Sequence, residues 1–344
     1  MSIRDWFHRA RNGNGDGGRN ARDVSPTLDR IVQLTNPRLK FARRYRARLT
    51  PAVDIAVQHA RSLVASVPPA CEASAAAWQY DPCLRAFFSS GDDVVRAFSR
   101  SAELRAWFDM NATASEVCAV LSVRLVERRI LGVALDGGVI RRDVPQTTVS
   151  FDDYRVRICG RSEQELRAEI ECRIVDQLAL VGLSIATHDQ GQREVLEQEN
   201  ALLRTRLRLL QGRGAGLVAL VGPSAPDGSV LARLQTELAM NEANLSSIAS
   251  GAEALEYQLE RLREVLANAG EHLFITSRQM RLDRMNVVVA DDDPAPGASL
   301  NLQIARVPIP DGAVEFRTFI LVRFQRAAML SKTTLSNDAA RMLQ

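Results

Sequence analysis

A long repeat of leucines, spaced alternately by three and four residues, constrains this chain more than any other feature. Over 231–266 the repeat occupies eleven positions, nine of which are Leu or Ile: Leu231, Leu234, Leu238, Asn241, Leu245, Ile248, Ala252, Leu255, Leu259, Leu262 and Leu266. This spacing is typical of a coiled-coil seam. A shorter seam of the same kind lies upstream, at Leu196, Asn200, Leu203, Leu207 and Leu210.

The two seams match each other as the two arms of an antiparallel hairpin, in which facing residues have numbers with a constant sum. The pairs 196 with 245, 200 with 241, and 210 with 231 all add to 441. This register places Asn200 opposite Asn241, and a buried amide pair fixes register at some cost in stability. We therefore expect an intrachain hairpin. A homo-oligomer, in which each seam pairs in parallel with its copy in a second chain, is the alternative.

Segments with β patterning lie on both sides of the predicted hairpin. Alternating and β-branched runs occupy 130–158, around an Asp136-Gly-Gly turn, and again 272–324. The connections are too short for crossover helices, so the strands should pair antiparallel. The sequence thus predicts a mostly helical α+β fold, in which a long antiparallel coiled-coil hairpin is inserted in a small, mainly antiparallel β domain.

The predicted segments divide the chain into five parts. An amphipathic peptide and a flexible Gly/Asn linker form 1–24, and a helical region forms 25–129, ending with a helix that a capping box at Thr113 and Glu116 starts. The composite α+β domain takes 130–160 and 270–326, the hairpin takes 161–269 with its loop at 212–228, and 327–344 is a tail.

Composition restricts the compartment and the chemistry. Five widely spaced cysteines without a C-x-x-C pair argue against a disulfide framework and a zinc site, and no apolar run is long enough to span a bilayer. We expect a cytoplasmic protein, without a secretory signal, whose thiols are reduced. Of 44 basic residues only Lys40 and Lys332 are lysines, which is typical of a GC-rich bacterial genome.

Recognisable catalytic motifs are missing from the sequence. The loop at 218–229 resembles a phosphate loop but lacks its lysine, and Asp291-Asp-Asp293 is more typical of a solvated turn than of a metal site. The four histidines are scattered. We expect no catalytic, cofactor-binding or metal-binding residue, and an enzyme ranks behind a binding protein.

Two candidate contact sites depend on exposed apolar residues. Trp6 and Phe7 share one face of a short helix on a glycine-rich tether, which indicates a docking element, a membrane-surface anchor or an unselected tail. At the predicted hairpin tip four apolar side chains either pack back on the stalk or contact a partner: Leu217, Val218, Leu220 and Val221.

A basic segment supplies the third candidate site. Residues 1–50 carry a charge of +8, and six cations lie among two aromatic residues within 38–48: Arg38, Lys40, Arg43, Arg44, Arg46 and Arg48, with Phe41 and Tyr45. Such a segment can bind nucleic acid, an anionic membrane, or neither, as a solvated helix face. The leading interpretation is a scaffold or adaptor, which contacts a protein partner through its coiled-coil stalk and a partner protein or the inner-membrane surface through the Trp6 and Phe7 peptide. The alternative is a protein that binds nucleic acid or an anionic membrane through 38–48.

Overall fold

The computed structural model describes residues 24–136, 139–212, 228–247, 254–290, 296–308, 314–331 and 334–335. They fall into two units. A helical unit contains residues 24–55 and the described part of Leu178–Ala267. A sheet unit contains Ala56–Gln177 together with the described residues from Asn268 onward, apart from the 310–312 segment.

The helices include one that is far longer than the others. Nine α-helices lie within the described residues: α1 Val24–Thr35, α2 Tyr45–Ser66, α3 Pro82–Phe87, α4 Gly91–Arg100, α5 Ala102–Met110, α6 Glu163–Gly212, α7 Gly228–Ser247, α8 Ala254–Ala267 and α9 Ala269–His272. The 50 residues of α6 run without a break through Gly191. This long insertion confirms the predicted fold class.

The strands form one sheet of the predicted antiparallel type. They are β1 Cys71–Glu72, β2 Glu116–Asp136, β3 Val139–Gly160, β4 Phe274–Leu282, β5 Val288–Val289, β6 Ala298–Pro308 and β7 Val314–Gln325. The order is β3-β2-β7-β6-β4-β5, and β1 adds a short parallel pairing to β7. Strands from before and after the hairpin are therefore neighbours, because β2 pairs with β7.

The helix predicted over 113–129 is wrong, and the helical region predicted over 25–129 ends at Met110. Glu116 begins strand β2 instead. The capping-box pattern was misleading because odd-numbered positions from Val117 to Val123 face one core cluster, whereas Cys118 and Val120 face another. This two-residue alternation is a strand signal, and burial of both faces outweighs the local helix-start pattern.

Strand β3 is one long strand that continues through three bulges. The register with β2 shifts three times, and each shift coincides with a residue of positive φ on β3: Asp143, Asp153 and Ile158. A bulge bends a strand and increases its twist. Beyond Val123 strand β2 pairs only with β3, so residues 124–136 and their partners form an arm that is two-stranded apart from one bridge between Thr148 and Val287.

Helices cover the two faces of the sheet. On one face, aromatic residues of α3, α4 and α5 join the strands in a single core, where the rings of Phe98 and Phe324 stack with centroids 5.1 Å apart. On the other face, Leu166 at the start of α6 packs with Val67, just beyond α2, and with Leu321. The sheet is therefore a central layer whose inner positions are closed to solvent.

Contacts within the helical unit confirm an antiparallel hairpin. A Cβ on Gly182 of α6 would lie 3.0 Å from the Cα of Leu262 on α8, so the two backbones approach closely there. Farther along, Tyr257 binds Asp189, and Arg204 binds Glu242 of α7 at 2.6 Å. The numbers fall on one helix as they rise on the other, as antiparallel pairing requires.

The seam positions carry the burial that the repeat predicts. Leu196, Leu203 and Leu207 are half-buried and Asn200 is buried, whereas most of the residues between them are exposed. On α7, Leu234 is buried. Burial on the seam side of each helix is what a coiled-coil interface requires.

The register along the hairpin differs from the predicted one. The contacting pairs 182 with 262, 189 with 257 and 204 with 242 add to 444, 446 and 446, not to 441. Neither amide atom of Asn200 has a hydrogen-bond partner, so Asn200 and Asn241 form no amide pair. Asn241 is half-buried. Asn200 therefore weakens the seam without compensation from a second amide.

We expect the substitution Asn200→Leu alone to raise the free energy of unfolding by about 1–3 kcal/mol, because a buried amide without a partner carries its full desolvation cost. Urea denaturation followed by circular dichroism measures the change. Gln198→Leu, at an exposed position on the same helix, is the control and should change stability by much less. A destabilised Asn200→Leu protein would contradict the placement of this side chain in an apolar seam.

Candidate functional site

The loop between α1 and α2 exposes one aromatic side chain, that of Phe41, to solvent. Pro37–Phe41 forms a 3-10 helix, and Asn36 caps it by accepting a hydrogen bond from the Arg38 backbone N–H at 3.0 Å. Leu39, 1% exposed, anchors the turn in the core, and Ala42 is buried behind it. Because consecutive turn residues point in different directions, Phe41 is left 84% exposed.

Four exposed cations surround Phe41 in the sequence of this loop. Arg38, Lys40, Arg43 and Arg44 are all exposed, and none forms an ion pair with another described residue. Arg44 has a φ of 53°, which turns the chain into α2. We call Arg38, Lys40, Phe41, Arg43 and Arg44 the Phe41 loop.

The other two cations of the predicted basic segment act inside the protein. Arg46 donates to Asp29 at 2.6 Å and to Ser25 Oγ at 3.1 Å, which ties α2 to α1. Arg48 binds Glu256, and Glu260 at 3.0 Å, both on α8. The predicted anionic-surface site therefore divides into four available cations and two structural ones.

Glu256 and Gln258 of α8 bind the loop through hydrogen bonds. Glu256 accepts the backbone N–H of Arg43 at 2.8 Å, and Asn36 donates to Gln258 Oε1 at 2.7 Å. The hydrogen bond from the Arg43 backbone, and then that from Arg48, lower the pKa of the Glu256 carboxyl below its ordinary value of 4.5. Glu256 thus stays ionised at neutral pH and holds the backbone of the loop while its four cations face solvent.

The remaining predicted partner-binding residues lie outside the described residues: Trp6, Phe7, Leu217, Val218, Leu220 and Val221. They stay predictions. Asp291-Asp-Asp293 also falls outside. Among the described residues, no three His, Cys, Asp or Glu side chains are grouped so that they could hold a metal ion. No helix in the described part of the chain has both the length and the apolar character needed to cross a bilayer.

Two exposed apolar surfaces were not predicted as sites. On the two-stranded arm Leu131 and Val133 are 68% and 60% exposed, and on the outer side of α6 Val195 and Leu202 are 55% and 69% exposed. The second surface carries a readable signal, because Val195 and Leu202 are separated by one heptad and lie off the predicted seam.

No family model, curated protein or solved structure matches this chain.

Proposed function

We propose that this protein is a non-enzymatic adaptor, which attaches to an anionic membrane surface on the cytoplasmic side through the Phe41 loop and presents its helical hairpin to a protein partner. One observation carries the proposal: Phe41 is 84% exposed among four cations that lack ion-pair partners in the described structure. An aromatic ring that enters the headgroup region, with cations that bind anionic lipids, is the chemistry of an interfacial contact.

The loop geometry favours a membrane over single-stranded nucleic acid. Binding to successive bases uses several stacked aromatic side chains in one groove, but Phe41 is the single strongly exposed ring in this segment. Tyr45 is half-buried and its hydroxyl accepts a hydrogen bond from Arg46 at 3.0 Å. Two further cations of the segment are already paired within the protein: Arg46 with Asp29, and Arg48 with Glu256 and Glu260.

The membrane contact of the Phe41 loop is weak by itself. Stable attachment generally takes two signals. The predicted peptide with Trp6 and Phe7, joined through its glycine-rich tether to the residues before α1, supplies the second signal in this proposal.

The experiment measures binding of the full chain to vesicles of phosphatidylcholine, with and without phosphatidylserine. Phe41→Ser should weaken binding to the anionic vesicles by about 10-fold, since burial of a Phe side chain contributes ~1.5–3 kcal/mol when complete. The double change Arg43→Gln with Arg44→Gln should weaken it by ~30-fold, at about 1 kcal/mol per cation near the surface. Deletion of residues 1–22 should weaken it further, without changing the melting temperature.

Matched controls distinguish a specific contact of the Phe41 loop from a general effect of surface charge or hydrophobicity on vesicle binding. Phe316→Ser removes another exposed ring, and Arg128→Gln with Arg129→Gln removes two other exposed cations. Both should bind vesicles like the unmodified chain. Equal losses in the controls would refute a specific loop contact. Binding to a single-stranded oligonucleotide but not to vesicles would refute the membrane and favour the nucleic-acid alternative.

A further inference from the structure

The outer side of α6 carries an apolar surface that the hairpin does not use. Val195 and Leu202 are 55% and 69% exposed, whereas the seam residues Leu196 and Leu203 beside them are half-buried. The seven-residue interval places the two exposed side chains on one face, about 10 Å apart along the helix. We call Val195 and Leu202 the outer stripe.

Charged residues flank the centre of this stripe in an ordered way. Glu199 lies one turn before Leu202 and Arg206 one turn after it, and both side chains are exposed. Neither forms an ion pair with another described residue. The neighbouring charges are different, because Arg193 binds Glu197 at 2.7 Å and Arg204 binds Glu242 at 2.6 Å within the chain.

This arrangement is complementary to itself in one orientation only. If two copies of α6 pack antiparallel about a two-fold axis at Leu202, the two Leu202 side chains face each other. Glu199 of each copy then faces position 205 of the other, one residue from Arg206, which is close enough for an ion pair. In a parallel arrangement Glu199 would face Glu199 and Arg206 would face Arg206, and like charges repel. A two-fold axis also lets one stripe cover its own copy.

We propose that the outer stripe is a self-association surface, through which two copies of this chain dimerise with their α6 helices antiparallel. The hairpin seam stays within each chain, so the dimer contact is a second layer added to the stalk. This contact is independent of the membrane attachment proposed above.

The test uses the full chain and charge reversal, read by sedimentation equilibrium. Glu199→Arg alone, or Arg206→Glu alone, should weaken the dimer by about 10- to 100-fold, because two exposed ion pairs become two repulsive pairs. The double variant Glu199→Arg with Arg206→Glu should recover the original affinity. A mixture of the two single variants should form a mixed dimer, since one carries only cations and the other only carboxylates at these positions.

Further variants test whether the apolar outer stripe is the dimer contact. Leu202→Glu should abolish the dimer, and Met240→Glu, an equally exposed apolar residue on α7 that is 63% exposed, should not. Circular dichroism should show unchanged helicity in each variant. The proposal would be overturned if the chain is monomeric at every concentration tested. It would also be overturned if the dimer affinity is unchanged by Leu202→Glu, or unchanged by both single charge reversals. A dimer that the single reversals weaken but the double reversal does not restore would exclude antiparallel α6 pairing.

Discussion

Replacement of Arg317 by alanine should lower the free energy of unfolding by about 2–4 kcal/mol, because a nearly buried guanidinium loses several charge-assisted hydrogen bonds. The Arg317 side chain is 8% exposed and lies on β7. It donates to Ser122 Oγ on β2 at 2.9 Å, and to Asp153 on β3 through the carboxylate at 2.7 Å and the backbone carbonyl at 2.6 Å. One guanidinium thus joins three adjacent strands at the base of the arm.

Urea denaturation of the Arg317→Ala protein, compared with Arg124→Ala, measures this effect. Arg124 also pairs with a carboxylate, Asp152, but its side chain is 59% exposed. Its removal should cost less than about 1 kcal/mol, as for other exposed pairs. Equal losses in the two variants would show that burial and the bonds to β2 and β3 are not what makes Arg317 important.

Acid should remove part of the same stabilisation. Hydrogen bonds from Arg155 and then from Arg317 lower the pKa of the Asp153 carboxyl below its ordinary value of 3.8. A carboxyl with a lowered folded-state pKa stabilises the protein above its ordinary pKa and loses that contribution as the pH falls through the lowered value. Stability of the unmodified chain should therefore fall below about pH 3.8, and less steeply in Arg317→Ala.

The sequence predicted the elements that depend on periodicity. The leucine repeat indicated the hairpin, and the β patterning over 272–324 indicated the part of the chain that forms β4, β6 and β7. The prediction was wrong where two sequence patterns disagreed. The capping box at Thr113 and Glu116 indicated a helix, whereas the alternation that begins at Val117 indicated the strand that the structure contains. Whether both faces of a segment are buried depends on packing partners that are distant in the chain, and the local sequence does not show which residues these are.

The register of the hairpin was less predictable than its existence. Counting along the sequence selected the register that aligns the leucines and the two asparagines. The observed pairs on α8 and on α7 instead share the sum 446, so the whole register differs from the predicted one by a nearly constant amount. The amide match between Asn200 and Asn241 was therefore a coincidence of numbering, and the close approach at Gly182 is the better marker of the observed register.

The sequence predicted which residues make up the basic segment, but not which of them face solvent and which form ion pairs within the protein. Sequence placed six cations together, and nothing in the local pattern separated Arg46 and Arg48 from the other four. Their partners explain why. Asp29, which binds Arg46, lies on another helix. Glu256 and Glu260, which bind Arg48, lie more than two hundred residues later in the chain. The exposure of Phe41 likewise depends on Leu39 being the residue that turns inward.

The excess of arginine over lysine has a structural use beyond codon composition. Four arginines each bind two or three backbone carbonyls near helix ends: Arg105, Arg167, Arg306 and Arg326. Carbonyls at a helix C-terminus have no partner within the helix. A guanidinium, with five donors in one plane, can bind several of them together, whereas an ammonium group is a single point charge.

Arg326 should show the difference most clearly. It donates to the carbonyls of Phe108 at 2.8 Å, Asn111 at 2.5 Å and Ala114 at 2.7 Å, and its guanidinium lies 4.6 Å from the centre of the Phe108 ring. Arg326→Ala should lower the free energy of unfolding by ~2–4 kcal/mol, because three charge-assisted bonds and a cation–π contact are lost at the end of α5.

The variant Arg326→Lys tests whether geometry or charge is responsible, because it keeps the charge but cannot reach the three carbonyls together. We expect it to recover less than half of the stability lost in Arg326→Ala, as measured by urea denaturation. Arg323→Lys, at an exposed position on the neighbouring strand, is the control and should be nearly neutral. Full recovery by lysine would mean that the positive charge near the helix end suffices, and that the abundance of arginine owes nothing to its planar set of donors.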